Sequence, residues 1–228
     1  MSPTSRAPKT NGSAAGAPLG ARLRERRDQV GLSLRELARR LEVSPSLVSQ
    51  IETGKIQPSV RTLYAIVSEL GISLDEIFDL SGSGGAAAPA PRRRRRAEAD
   101  ATAPEASAGH VQRAHEHRAI ELESGVRWER LTASNDSDIE FLQAVYDVGG
   151  ASSSDGKLVR HSGREFGFVQ SGTLGVTVGF EEHVLGPGDS IAFESTIPHR
   201  LHNDGDEVVR AIWVTVGRYR AEEAFSNP

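Results

Sequence analysis

The sequence contains no cysteine. That removes a disulfide framework and every thiolate metal site from consideration, and it suits a chain that works in a reducing compartment. Long apolar runs are missing too: nowhere do about 18 apolar residues follow one another, the length a membrane-spanning helix needs. The opening stretch MSPTSRAPKTNGSAAGAP lacks the apolar core of a secretory signal, and residues 1–18 read as a disordered tail. A cytoplasmic protein with no membrane partner is therefore expected. Charge of one sign is missing only on average. The net charge is −4, yet residues 1–96 carry 16 Lys+Arg against 9 Asp+Glu, and residues 97–228 carry 11 against 22. A chain of 228 residues has room for two modest domains, and these two halves have different chemistry.

The first half is patterned for short helices. Ser33 with Glu36 makes a Ser-x-x-Glu capping box, and Leu34, Leu37, Ala38 and Leu41 follow at helical spacing. Ser44 is placed to cap a second helix with Pro45 at its first position, where the missing amide hydrogen costs nothing, and Gly54 ends it. Within that helix Leu47, Val48 and Ile51 share one face, while Ser46, Ser49 and Gln50 share another. One face packs and the other is free to read bases. Further boundaries come from Gly31, from Ser59 and Gly71, and from a second Ser-x-x-Glu box at Ser73 and Glu76.

These residues carry a resemblance. The run from Leu19 to Phe78 is similar to the Cro/C1-type (XRE) helix-turn-helix domain, with helices near 19–30, 34–41, 45–52, 60–70 and 74–78. Ser49-Gln50-Ile51-Glu52-Thr53-Gly54-Lys55 resembles the family's signature. The resemblance implies a domain over 19–80 that binds duplex DNA. Ser44, Pro45, Ser46, Ser49 and Gln50 are then the candidate reading face. Residues 19–80 balance nine basic against nine acidic side chains, so phosphate contacts must come from local placement, with Arg39, Arg40, Lys55 and Arg61 as candidates.

Residues 81–109, SGSGGAAAPAPRRRRRAEADATAPEASAG, have no periodic apolar positions and read as a disordered Arg/Ala/Pro-rich linker. Its five arginines, Arg92 to Arg96, either add sequence-blind attraction to phosphates or only keep the linker extended. The two domains are accordingly expected to be separate cores on a tether.

Beyond about Ile120 the apolar period becomes two. Runs at Ile139–Val148, Lys157–His161, Phe166–Gln170, Leu174–Phe180, Ser190–Phe193 and Val208–Val216 alternate with glycine- and asparagine-rich turns, which predicts an all-β sandwich or barrel. His161-x-x-x-Glu165, Gly172, Gly186-Pro187-Gly188-Asp189 and Pro198-His199-x-x-x-Asn203 resemble the two cupin motifs. The fold class implied is multidomain α then β: a five-helix helix-turn-helix bundle, the linker, a cupin-type double-stranded β-barrel over 110–220 with its pattern core about 139–216, and a tail over 221–228.

Metal-binding cupins present two histidines, a glutamate and a distant histidine, and here Val159 stands where the first histidine belongs. His161, Glu165 and His199 remain, a set able to hold one divalent metal ion with open positions. A metal, an organic effector in a metal-free barrel, and an empty structural barrel all stay open. Strand alternation puts Glu165 with Gly167 and Val169, opposite Phe166 and Phe168. Tyr146 is a further candidate ligand contact. Arg210 and Trp213, three apart on one strand, cannot both face the cavity. His115, His117, His183 and His202 fall in or near turns or the linker end and receive no role. The whole implies a homodimeric transcriptional regulator that binds an operator and senses a small-molecule effector. The alternative is a mononuclear iron oxygenase or epoxidase of the same two-domain type.

Overall fold

The computed structural model describes residues 19–80, 110–133, 138–153 and 155–218. The expected tails and the 81–109 linker lie outside the described residues. Five helices come first: α1 (Leu19–Gln29), α2 (Leu34–Arg40), α3 (Pro45–Glu52), α4 (Val60–Leu70) and α5 (Leu74–Leu80). Among the described residues no helix is long and apolar enough to cross a membrane.

The helix starts follow the serines. Ser33 Oγ accepts the Glu36 N–H at 3.1 Å, Ser44 Oγ the Leu47 N–H at 3.1 Å, Ser59 Oγ the Thr62 N–H at 3.2 Å and Ser73 Oγ the Glu76 N–H at 3.1 Å. At Ser33 the second half of the expected box is diverted, because the Glu36 carboxylate accepts from Arg39 and Arg40. Gly20 lets α1 close on the end of α3: a Cβ there would lie 2.0 Å from the Ile51 carbonyl oxygen. Seven residues on, the buried Arg27 grips Glu52 with both ends of its fork, Nε to Oε1 at 2.6 Å and Nη2 to Oε2 at 2.9 Å. α3 is thus anchored from behind, over a core of Leu23, Leu37, Val48, Ile51, Leu63 and Phe78.

A 3₁₀ turn (Ala114–Glu116) leads into nine strands: β1 (Ala119–Leu122), β2 (Val126–Arg130), β3 (Ile139–Tyr146), β4 (Arg164–Ser171), β5 (Leu174–Val178), β6 (Glu181–Leu185), β7 (Ser190–Glu194), β8 (His199–His202) and β9 (Val209–Val216). They form a six-stranded sheet, β1-β2-β3-β9-β4-β7, and a three-stranded sheet, β6-β5-β8, paired antiparallel throughout. Val169, Leu174, Val176, Leu201, Val209 and Ala211 fill the interior, as the cupin resemblance implies.

Two expectations need correction. Lys157–His161 is not a strand: only Val159 bridges to His199, with reciprocal N–H···O contacts of 2.7 and 2.8 Å. Glu181–Leu185 is a strand the alternation missed, and His183 therefore sits on β6 instead of in a turn. Polar, mostly exposed β6 is an edge strand, so it gives no apolar period to detect.

The larger departure concerns the tether. The helices and the barrel do not stand apart; their buried apolar side chains form one continuous cluster. Around the start of α4, Pro58 C=O accepts from Glu123 N–H at 2.9 Å and Arg61 N–H donates to Ser152 C=O at 3.4 Å. At α5, buried Asp75 faces buried Arg130 at 3.8 Å. The turn before α4 and the first residues of that helix therefore lie on the mouth of the barrel.

Candidate functional site

Two strands and one loop bring the sequence-predicted triad together. Glu165 is the second residue of β4, His199 opens β8, and His161 lies just before β4, held by its N–H to Ser195 C=O at 3.0 Å. His161 Nε2 is 2.8 Å and His199 Nε2 3.1 Å from the same carboxylate oxygen, Glu165 Oε1. The other oxygen, Oε2, accepts the indole N–H of Trp213 at 2.6 Å. Trp213, not Arg210, thus faces inward. Gly167 makes room for it, since a Cβ at that position would lie 2.2 Å from the indole ring.

The protonation pattern follows from the backbone. His161 Nδ1 is 2.9 Å from the Ser162 carbonyl and His199 Nδ1 is 2.9 Å from the Ile197 carbonyl. A carbonyl only accepts, so each Nδ1 carries a hydrogen and each ring turns its Nε2 inward. Both Nε2 atoms then meet Glu165 Oε1, a buried oxygen. Only a proton or a cation between them satisfies that geometry. Burial opposes the charge of Glu165, but the two imidazoles outweigh it and hold the carboxyl well below the usual carboxylate range. The three donor atoms lie within 4.8 Å of one another. Carbonyl-oriented imidazoles around a carboxylate are the arrangement in which histidine binds a divalent metal. The residues present fit such an ion, with Val159 at the missing ligand position leaving coordination open.

The surrounding cavity is small, about 30 Å³, room for roughly one or two waters. Tyr146 lines it, as expected, and burial pushes its phenol well above the ordinary value. The wall also includes residues the sequence did not suggest. Trp128, Leu142 and Leu201 come from the barrel, but Val60 and Tyr64 come from α4. The Tyr64 ring is 5.2 Å from His161 and 5.2 Å from Trp128. The buried guanidinium of Arg218, just past β9, lies 3.5 Å over that ring. Arg218 Nη2 is 2.9 Å from His161 Nε2, and its Nε is 3.0 Å from Glu140 Oε1. Nothing in the period of β9 or in the helical spacing of α4 marks Arg218 or Tyr64, because their contacts join the two domains.

The predicted reading face is on the exposed side of α3. Ser44, Pro45, Ser46 and Gln50 are exposed and Ser49 is partly so, while Val48 and Ile51 are buried behind them. Lys55 is exposed beyond the end of α3. Arg39 and Arg40 are exposed but spoken for: Arg39 Nη2 is 2.7 Å and Arg40 Nε 2.9 Å from Glu36 Oε1, and Arg40 also reaches Glu69 at 3.3 Å. Those contacts lower the Glu36 carboxyl to about 2, with Arg39 as the leading cause. Arg61 turns toward the barrel, 3.8 Å from Asp155, and is not brought together with the reading face.

Residues 23–77 match the helix-turn-helix family and residues 145–215 the cupin domain. Over 194 residues, 85% of this chain and 91% of the relative, the sequence is 26% identical to the HTH-type transcriptional regulator PuuR of Escherichia coli (strain K12). A stretch of 58 residues, 25% of this chain and 45% of the relative, is 34% identical to the HTH-type transcriptional regulator DdrOP3 of Deinococcus deserti. Among solved structures, an HTH_3 family transcriptional regulator from Vibrio cholerae has the same fold, with a TM-score of 0.57 at 18% identity over 87% of this chain and 94% of that one. With both domains matched in this order and a relative aligned across most of both lengths, the chain carries an XRE-type helix-turn-helix domain followed by a cupin domain and is homologous to PuuR.

Proposed function

We propose that this protein is a cytoplasmic, homodimeric transcriptional regulator. It reads an operator through α3 and tunes that binding by what occupies the barrel pocket. The observation that carries this reading is the composition of the pocket wall. Val60 and Tyr64 belong to the helix that follows the recognition helix, so an occupant that changes the pocket changes what the DNA-binding bundle rests on. Regulation needs such differential contact, typically worth about 1–3 kcal/mol of coupling. In support, α3 offers a small polar face on a rigid core, and PuuR is itself named a transcriptional regulator.

The dimer reading is supported by the outer face of the six-stranded sheet. Ile139, Phe141, Phe166, Phe168 and Val216 lie there at 37–46% exposure, paired across β3, β9 and β4. An apolar patch of that kind, uncovered by any helix among the described residues, suits a second copy of the chain. Two copies place two α3 helices about one DNA turn apart on a palindrome, the spacing that gives such short reading helices specificity.

His161, Glu165 and His199 are the ligands proposed for one divalent metal. The same set also favours the enzymatic reading, a mononuclear iron oxygenase. Against that stands the cavity: about 30 Å³ leaves no space beside a metal for an organic substrate. Selection of bound fragments from a random DNA pool by the full chain tests the regulator. Recovery of a palindromic consensus supports it, and no enrichment rejects it. Turnover with Fe(II) and oxygen that vanishes in Glu165→Ala would establish the enzyme instead.

A further inference from the structure

We infer that Arg218 and a divalent cation compete for the same lone pair, His161 Nε2, so that loading the metal site loosens α4 from the mouth of the barrel. This rests on the proposed metal reading of the triad and adds to it a device particular to this chain.

The argument is one of stoichiometry. His161 Nδ1 is committed to the Ser162 carbonyl at 2.9 Å, so Nε2 has a single lone pair to offer. Arg218 Nη2 lies 2.9 Å from it, and arginine, which is always charged and has no acceptor, can only donate there. A metal would take the same lone pair at about 2 Å. One pair cannot serve both, and a dication at that distance from a buried guanidinium also repels it. Metal loading therefore requires Arg218 Nη2 to leave.

What Arg218 leaves behind belongs to the DNA-binding bundle. Its guanidinium covers the Tyr64 ring at 3.5 Å. Glu140 links the two residues: its Oε1 pairs with Arg218 Nε at 3.0 Å, and its Oε2 accepts from the Tyr64 hydroxyl at 3.4 Å. Tyr64 in turn packs on His161 and Trp128. The Ser162 hydroxyl donates to the Arg218 carbonyl, so the backbone is pinned beside the histidine and any displacement falls on the side chain. The cluster has two arrangements: Arg218 on His161 with Tyr64 sandwiched, or metal on His161 with Arg218 displaced and Tyr64 short of one partner. Because coupling is reciprocal, whatever factor the docked Arg218 takes from metal affinity, metal takes from the docking of α4.

The test uses the full chain, stripped with chelator, and Zn(II) alone as the probe. Calorimetric titration should give Arg218→Ala a Kd lower than wild type by about ten-fold, within the usual span of such couplings. Glu165→Ala should lose the heat, assigning it to this site. Hydrogen exchange of wild type with and without Zn(II) should show residues 60–70 exchanging faster with metal, a readout that holds even if Arg218→Ala fails to fold. Equal Zn(II) affinity in wild type and a folded Arg218→Ala overturns the competition. Zn(II) binding that leaves α4 exchange unchanged or slower overturns the loosening. Absence of Zn(II) binding in both chains overturns the inference together with the metal reading beneath it.

Discussion

Glu165 is fixed before any ligand arrives, and a neighbour without a side chain fixes it. The Trp213 N–H that holds Oε2 at 2.6 Å has its place only because Gly167 leaves the strand face open. Gly167→Ala should drive the indole off the carboxylate and weaken Zn(II) binding by about 10–100-fold, the usual cost of losing an outer partner of a ligand. The chain's two tryptophans, Trp128 and Trp213, both line this cavity. Intrinsic emission should therefore shift in the same variant, and unchanged emission and affinity would argue against the role given to Gly167. On the reading face, Gln50→Ala should cost about 1–3 kcal/mol and relax preference at one base pair, read by competition between DNA fragments. Arg39 and Arg40 must be freed from Glu36 to meet phosphate. Glu36→Gln should raise affinity at low salt and steepen the salt dependence, by up to about 0.9 in slope per added contact. Arg27→Ala leaves the buried Glu52 without its fork and should lower stability by about 3–5 kcal/mol in chemical denaturation.

At the scale of the elements, the exposed face of β3, β9 and β4 carries the dimer reading. Phe168→Asp adds a charge at a position 46% exposed that packs on nothing inside the barrel. It should turn dimer into monomer in sedimentation while far-ultraviolet dichroism stays the same. A dimer that persists would move the interface elsewhere. Elements were also where the sequence spoke most plainly. Serine caps located the starts of α2 to α5 and glycine stops the ends of α1, α3 and α4 to within two residues, because each cap is a contact between near neighbours in the chain. Alternation put Glu165 inside and Phe166 and Phe168 outside, because a strand's period needs no knowledge of its partners. The pattern was silent on β6, where an exposed edge has no apolar side to repeat, and misleading at Lys157–His161, where only Val159 finds a partner. It was silent as well on Tyr64, Arg218 and Glu140. Their meaning lies in contacts 76 residues apart or more, between surfaces that each look complete alone.

For the whole molecule, the docking of the bundle on the barrel decides how the protein works. Two domains on a loose tether would need a signal to cross open space, but here the helix that follows α3 forms part of the barrel pocket's wall. Buried Asp75 and Arg130 reinforce that seam, and a buried pair left half-made is costly. The arrangement predicts that pocket variants reach DNA binding, whereas truly separate cores would leave it untouched. The most direct measurement is the affinity of the full chain for its selected palindrome, with and without Zn(II), in wild type and in Glu165→Ala. The account predicts at least about a five-fold change on adding Zn(II) to wild type and none in Glu165→Ala. Identical affinities in all four conditions would contradict it.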